Sequence, residues 1–214
     1  MKPTTRDIVL GTTNQGKLEE LRDLLGELPV RLRSLSEFAA VDEPQENGSS
    51  FAENARIKAL AYSSYFRVWA LADDSGLSID ALEGRPGIYS ARYAGCGDPE
   101  RSVRDRANNE KVLGEMEGIP EENRTARFHC ALCLAAPEGV LLEVTGQMEG
   151  VIAREAQGER GFGYDPIVYL PDQDCTVAQL PREEKNRRSH RAEALEKFKS
   201  RLDDLLTLAA KTLR

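Results

Sequence analysis

A short glycine-containing turn between an apolar run and an amphipathic helix is the feature that most constrains this chain. The apolar run ends at Leu10, and the turn that follows reads Gly11-Thr12-Thr13-Asn14-Gln15-Gly16-Lys17. Behind it, leucines recur at steps of three and four residues, which predicts a helix with one buried face and with Glu19 and Glu20 turned to water. These leucines are Leu18, Leu21, Leu24, Leu25 and Leu28. A strand that opens a helix in this way points backbone N–H groups and the positive end of the helix dipole at one place, which suits a phosphate group.

The turn matches the P-loop pattern G-x-x-x-x-G-K-[S/T] at every position except the last. Leu18 stands where the pattern has the hydroxyl residue that contacts magnesium, and it belongs to the buried face of the predicted helix. Lys17 lies in the first turn of that helix, where a cation opposes the dipole unless an anion balances it. We therefore predict a phosphate site here and keep an ordinary P-loop NTPase as an alternative.

Composition excludes several classes of protein. The chain has 214 residues, of which 40% are apolar, and this length favours one domain over several. The formal charge of −7 argues against a nucleic-acid polymer as partner, because phosphate backbones are bound by positive surfaces. No window approaches the roughly 18 apolar residues that a membrane helix needs. We therefore expect a cytoplasmic protein that has no contact with a membrane.

Strand and helix patterns alternate along the chain. Strands are expected at 30–34, 68–72, 124–136 and 140–154, and Pro137-Glu138-Gly139 predicts a hairpin between the last two. Helices are predicted behind a capping box at Ser50 and Glu53, over 99–117, and behind Ser189. This mixture predicts an α/β fold with a mixed central β-sheet and flanking helices.

Two adjacent carboxylates form a second candidate site. Asp73 and Asp74 follow the apolar strand 68–72 and precede Ser75-Gly76. Open α/β sheets place ligand-binding groups at such strand ends. Carboxylates there suit Mg²⁺, which takes oxygen ligands and completes its shell with water and substrate phosphates, and a carboxylate can also deprotonate an attacking water. The alternative is a capped turn that binds nothing.

Two segments nearer the C-terminus are candidates for binding the rest of a ligand. Gly161-Phe162-Gly163-Tyr164-Asp165-Pro166 places glycines around two aromatic residues, whose ring faces could stack on a base. The charged run 183–191 leads into a helix with one apolar face. His190 and Arg191 fall in the first turn of that helix, again as cations that oppose the dipole. The alternatives are a tight turn with packed aromatics and a solvated charged face.

Taken together and in order, these residues resemble the inosine/xanthosine triphosphate pyrophosphatase family. The matching motifs span nearly the whole chain: Thr12-Thr13-Asn14 with Lys17, Glu46-Asn47-Gly48, Ser50-Phe51-Ala52-Glu53-Asn54-Ala55, Asp73-Asp74-Ser75-Gly76-Leu77, Pro86 to Gly95, Gly161 to Pro166, and Ser189-His190-Arg191. Thr13 is a departure, since many members have glycine there. Its side chain narrows the approach of a phosphate to the backbone but leaves the N–H donors available.

The resemblance implies an enzyme that uses Mg²⁺ to hydrolyse non-standard purine nucleoside triphosphates (ITP, dITP and XTP) to the monophosphate and pyrophosphate. It also implies a homodimer of two-lobed subunits, each a single domain over residues 1–214 around a nucleotide-binding cleft. The residues that it assigns to the triphosphate are Thr12, Thr13, Asn14 and Lys17. Ser75 matches a substrate contact, and the residues that the resemblance assigns to the base are Phe162, Gly163, Tyr164, Asp165, Lys185, His190 and Arg191.

In the mechanism that the resemblance implies, Asp74 is both general base and magnesium contact, and Lys17 assists it. The second metal ligand is Glu46 or Glu43. Water activated by Asp74 attacks the α-phosphorus, and pyrophosphate leaves as a magnesium complex. His190 and Arg191 donate to the 6-oxo group of hypoxanthine or xanthine, whereas the 6-amino group of adenine would set donor against donor. A non-catalytic nucleotide sensor and a P-loop NTPase remain the alternative functions.

Overall fold

The computed structural model describes residues 6–26 and 28–212, without the side chains of 203 and 207–212. The strands are β1 (Arg6–Leu10), β2 (Val30–Ser34), β3 (Trp69–Ile79), β4 (Thr125–Ala136), β5 (Gly139–Ile152), β6 (Val168–Leu170) and β7 (Cys175–Thr176). The α-helices are α1 (Gln15–Leu25), α2 (Phe51–Phe66), α3 (Arg101–Glu115), α4 (Arg182–Arg188) and α5 (His190–Thr212). None of these described helices combines the length and the apolar character needed to cross a membrane.

The strands form one mixed sheet in the order β2-β1-β3-β4-β5-β6-β7. β1 is parallel to both of its neighbours, with Ile8 opposite Leu32 on one side and Trp69 on the other. β6 is antiparallel to β5 and to β7. The sheet therefore has the mixed character that the sequence predicts.

Two compact units divide the chain. The first comprises Met1–Asp74, Cys130–Gly146 and Arg191–Arg214, and the second comprises Ser75–His129 and Gln147–His190. The core of the first unit packs α1 and α5 against strands through buried residues such as Leu21, Leu132 and Phe198. The core of the second unit packs α3 against strands through residues such as Ile79, Val112 and Val168.

Polar caps fix where the first two helices begin. Asn14 is the N-cap of α1, and its side chain accepts a hydrogen bond from the backbone N–H of Lys17 at 3.2 Å. Ser50 is the N-cap of α2 and accepts from the N–H of Glu53 at 3.2 Å. The Glu53 carboxylate in turn accepts from the N–H of Ser49. The predicted cap at Ser50 is confirmed, but the Glu53 carboxylate accepts from the N–H of Ser49 and not from that of Ser50.

One predicted boundary is wrong, and one helix was not predicted. The third strand does not end at Ala72, because β3 continues to Ile79 and carries Asp73 and Asp74 within it. A buried strand can hold two carboxylates here because side chains from other elements compensate both of them. The helix predicted behind Ser189 is confirmed as α5, but a further helix, α4, lies before Ser189 and overlaps the charged run 183–191. α4 has seven residues and no apolar repeat, and periodicity therefore could not reveal it.

Candidate active site

Asp73 is the fully buried member of the carboxylate pair in β3. Its side chain is 0% exposed, and its Oδ2 lies 2.9 Å from Nζ of Lys17 and 3.6 Å from Nη2 of Arg191. Burial alone would raise the pKa of Asp73, but the charges of Lys17 and Arg191 outweigh it and hold the pKa well below its ordinary value. Asp73 is therefore ionised and neutralises cations inside the first unit.

Arg191, at the start of α5, is equally buried, with 1% of its side chain exposed. Besides Asp73 it pairs with Glu20 of α1, which is also buried. Burial opposes the guanidinium charge, but Glu20 and Asp73 outweigh this effect and raise the pKa of Arg191. The cations in the first turns of α1 and α5 thus find balancing anions within the chain itself.

Asp74 is the candidate general base. Its Oδ2 accepts a hydrogen bond from Nδ2 of Asn54 at 3.0 Å, and its Oδ1 lies 4.0 Å from Nζ of Lys58. Burial raises the pKa of Asp74 above its ordinary value, and the nearby lysine charges reduce this shift without cancelling it. Because a carboxylate of higher pKa binds a proton more tightly, Asp74 is suited to accept one from water.

Lys58 of α2 links Asp74 to the acidic loop. Its side chain is 7% exposed, and its ammonium pairs with the carboxylate of Glu46 and lies 4.0 Å from Oδ1 of Asp74. Glu43 is exposed. Among the residues that the structure describes, no group of three or more His, Cys, Asp or Glu side chains could hold a metal ion. Mg²⁺ needs only one or two protein carboxylates where substrate phosphates complete its shell, and Asp74 and Glu46, which share one ammonium, fit that requirement.

The turn before α1 is held by its own side chains. Oγ1 of Thr12 accepts a hydrogen bond from the N–H of Asn14 at 3.2 Å. Oδ1 of Asn14 accepts one from the N–H of Lys17 at the same distance. Thr12 is half-buried and Thr13 is exposed. The structure therefore brings the four residues predicted to bind phosphate together at one helix end, in the same unit as Asp73 and Asp74.

The loop 161–165 in the second unit carries most of the residues predicted to bind a base. Oδ2 of Asp165 accepts from the N–H of Phe162 at 2.9 Å and from Nζ of Lys185 at 2.6 Å. Nζ of Lys185 also lies 4.6 Å from the centre of the Phe162 ring. Asp165 and Lys185 are buried, whereas Phe162 is half-buried and keeps part of its ring accessible.

Three further predicted residues belong to the second unit. Tyr164 is buried and donates its hydroxyl hydrogen to the carbonyl of Ser90 at 2.8 Å. Burial raises the pKa of Tyr164, so its phenol stays neutral. The buried ring of His190 stacks on that of Phe128, with 4.9 Å between their centres. Ser75 is half-buried in β3.

Sequence reasoning missed Asn54, Lys58 and Glu20. Asn54 and Lys58 are one helical turn apart on the buried face of α2, beside the apolar Ala55 and Ala59. Polar residues that repeat at helical spacing inside an apolar face are a signal that could have identified this pair. The prediction that Glu20 faces water is wrong, because its carboxylate pairs with buried Arg191.

Comparison with known proteins gives close relatives along most of the chain. The sequence profile of the Ham1 family matches residues 8–201. A dITP/XTP pyrophosphatase of Desulforamulus reducens is 48% identical over 190 residues, which are 89% of this chain and 92% of that protein. A dITP/XTP pyrophosphatase of Bacillus subtilis is 46% identical over 198 residues, which are 92% of this chain and 98% of that protein.

Solved structures share the fold. A HAM1 protein from Coxiella burnetii has a TM-score of 0.84 and 41% identity, and the match covers 94% of this chain and all of that one. The Ham1 protein of Staphylococcus aureus has a TM-score of 0.81 and 37% identity, with coverage of 93% and 99%. The α/β fold with a mixed sheet and flanking helices is thereby confirmed.

Proposed function

The chain belongs to the Ham1 family, as its ordered motifs predict, and we propose that it hydrolyses non-standard purine nucleoside triphosphates to the monophosphate and pyrophosphate. The substrates are dITP, XTP and ITP, of which the first two are named in the relatives described above. The observation that carries this proposal is the buried carboxylate of Asp74, held by Asn54 beside Lys58 with a raised pKa. A protein that only binds nucleotides needs no such proton acceptor.

Asp74 acts as the general base. A water molecule that donates to the Asp74 carboxylate gives up its proton while its oxygen bonds to the α-phosphorus, and the bond from that phosphorus to the pyrophosphate oxygen breaks. The hydrogen bond from Asn54 fixes the orientation of the carboxylate. A positioned base of this kind contributes roughly 10²–10⁴-fold to the rate.

The triphosphate is held at the N-terminus of α1 by Thr12, Thr13, Asn14 and Lys17. Backbone N–H groups and the helix dipole favour negative charge there. Because Asp73 pairs with Lys17 at 2.9 Å, the lysine is positioned before any ligand arrives. The Lys17 charge then stabilises negative charge on the reacting phosphates, which is its catalytic role.

Mg²⁺ is the metal that suits this site, with Asp74 and Glu46 as its protein ligands. When bound, the ion neutralises negative charge on the phosphate oxygens. Glu46 is preferred to Glu43 because it shares the ammonium of Lys58 with Asp74, whereas Glu43 is exposed. Lys58 serves to hold the two carboxylates at one place and to limit their mutual repulsion.

The purine is recognised by the second unit. Phe162 offers a ring face for stacking, and the buried pair of Asp165 and Lys185 holds it. His190 supplies a donor for the 6-oxo group of hypoxanthine or xanthine, whereas the guanidinium of Arg191 is buried and paired with Glu20 and Asp73. A 6-amino group would leave the His190 donor unpaired, and sites built on such pairing discriminate by about 10⁴-fold.

The assembly and the location follow from the family resemblance. We propose a cytoplasmic homodimer, in which the segment 83–97 forms part of the subunit contact. Tyr89 in that segment is 55% exposed, as expected of an aromatic residue that a partner subunit covers.

Incubation with Mg²⁺ and each of dITP, ITP, XTP, GTP and ATP, followed by chromatography of the products, tests the proposed function. The expected result is monophosphate and pyrophosphate from dITP, ITP and XTP, with GTP and ATP nearly unchanged. Orthophosphate and a diphosphate would show cleavage at the terminal phosphate and refute the mechanism. Binding of ITP without any product would favour a nucleotide sensor.

A further inference from the structure

A polar stripe on α3 contacts the loop 161–165 at consecutive residues. Arg101, Asp105 and Asn109 are spaced by four and therefore lie on one face of the helix. The guanidinium of Arg101 lies 5.0 Å from the centre of the Phe162 ring. Asp105 and Asn109 both reach the backbone of Gly163.

Gly163 is held through both of its backbone polar groups. Its N–H donates to Oδ2 of Asp105 at 2.9 Å, and its carbonyl accepts from Nδ2 of Asn109 at 3.0 Å. The residue has a φ of +64°, in the left-handed region that favours glycine. Asp105 is itself tied to Arg101, with 3.3 Å between Oδ2 and Nε. One helix face thus fixes the conformation of the loop at its centre.

The amide of Asn109 lowers the stability of the folded protein at this buried position. It is only 7% exposed, and its Oδ1 is buried without a hydrogen-bond partner in the part of the chain that the structure describes. A buried acceptor without a partner lowers stability, and an apolar side chain of the same shape would avoid that loss. An apolar side chain could not reproduce the hydrogen bond that Asn109 donates to the Gly163 carbonyl.

We infer that Arg101, Asp105 and Asn109 are positioning residues that set the affinity for the purine. This inference rests on the proposed function, in which Phe162, Gly163 and Asp165 bind the base. The stripe contacts the loop through two hydrogen bonds and one ring contact. Its loss should therefore weaken substrate binding and purine selectivity, and it should leave the chemical step almost unchanged.

Asp105→Ala and Asn109→Leu test the inference through their kinetics with dITP and dATP. Each removes one hydrogen bond to Gly163, and we expect KM for dITP to rise about tenfold while kcat stays within about twofold. The ratio of kcat/KM for dITP to that for dATP should fall by a similar factor. Asp105→Asn keeps an acceptor for the Gly163 N–H and should restore KM, and exposed Glu110→Gln on the same helix is the matched control.

Hydrogen exchange without nucleotide separates this inference from the proposed function. The Gly163 amide should exchange faster in Asp105→Ala than in the wild-type protein and should be protected again in Asp105→Asn. If Gly163 exchanges faster in Asp105→Ala but the wild-type protein releases no pyrophosphate, the positioning role of the stripe is supported and the proposed activity is refuted. Unchanged exchange, or unchanged KM and selectivity in an active Asn109→Leu, would overturn the inference. Leucine keeps the branching of asparagine at Cγ without its polar atoms, so this variant remains informative if Asp105→Ala does not fold.

Discussion

Nζ of Lys17 and Oδ2 of Asp73 lie 2.9 Å apart, although one side chain comes from the first turn of α1 and the other from within β3. The Asp73 side chain is fully buried, so water cannot take over its role. The pair ties the turn that we assign to phosphate directly to the strand that carries Asp74. The two adjacent carboxylates therefore differ in their tasks, since Asp73 organises cations, whereas we propose that Asp74 accepts a proton.

Asp73→Ala should destabilise the protein far more than the loss of a surface carboxylate. The substitution leaves Lys17 and buried Arg191 without their shared partner, and breaking a buried pair in this way costs about 3–5 kcal/mol. The free energy of unfolding in urea at neutral pH measures this effect. Asp80→Ala is the control, because its ion pair with Arg127 is largely exposed and should cost at most about 1 kcal/mol. Equal losses in the two variants would contradict the structural role of Asp73.

Asp74→Asn should abolish turnover and spare nucleotide binding. The amide keeps the shape of the side chain but cannot take a proton from water, so kcat for dITP should fall by roughly 10²–10⁴-fold. Binding of ITP, measured by calorimetry, should change little, because the residues assigned to the triphosphate and the base are retained. Asp80→Asn provides the matched control and should keep full activity. Unchanged turnover in Asp74→Asn would remove Asp74 from the role of base.

The conformation of Gly161 makes a further prediction about the base-binding loop. Gly161 has a φ of +76°, and a Cβ there would lie 2.0 Å from Oδ2 of Asp165. Gly161→Ala must therefore displace this carboxylate from Lys185, and we expect KM for dITP to rise about tenfold, as for the loss of a charge-assisted hydrogen bond.

Gly118→Ala is the control for Gly161→Ala, because it has the same φ of +76° and open space around the added atom. Both variants should lower the melting temperature through backbone strain. Only Gly161→Ala should raise KM. An equal rise in KM in Gly118→Ala would show that backbone strain alone, and not displacement of the Asp165 carboxylate, raises KM.

The sequence predicted those parts of the site that depend on local chemistry. The turn before α1 and the cap at Ser50 follow from residues a few positions apart, and the structure has both. The length of β3 could not be predicted in this way, since charged residues are rare in buried strands. What allows Asp73 to lie there is its pairing with Lys17 and Arg191, and both lie far from it in the sequence. Contacts of this kind are set by the tertiary fold, which local patterns do not describe.

His129 in β4 should make the protein more sensitive to acid. Burial and the nearby charge of Arg127 lower the pKa of His129 from its ordinary value of 6.5. The folded state therefore binds a proton at this site less readily than the unfolded state does. The stability that His129 contributes is present above about pH 6.5, the unfolded-state pKa, and is lost as the pH falls below that value and through the lower pKa of the folded state. Glutamine does not titrate, so His129→Gln lacks this loss of stability. Between pH 7.5 and pH 5 its free energy of unfolding should therefore fall by less than that of the wild-type protein. These pH values lie about one unit above and about one and a half units below the ordinary pKa of histidine. Urea unfolding of both proteins at each pH measures the difference, and the titration of all other groups is common to the two. Parallel pH dependence of the two proteins would show that His129 has the same pKa in the folded and unfolded states.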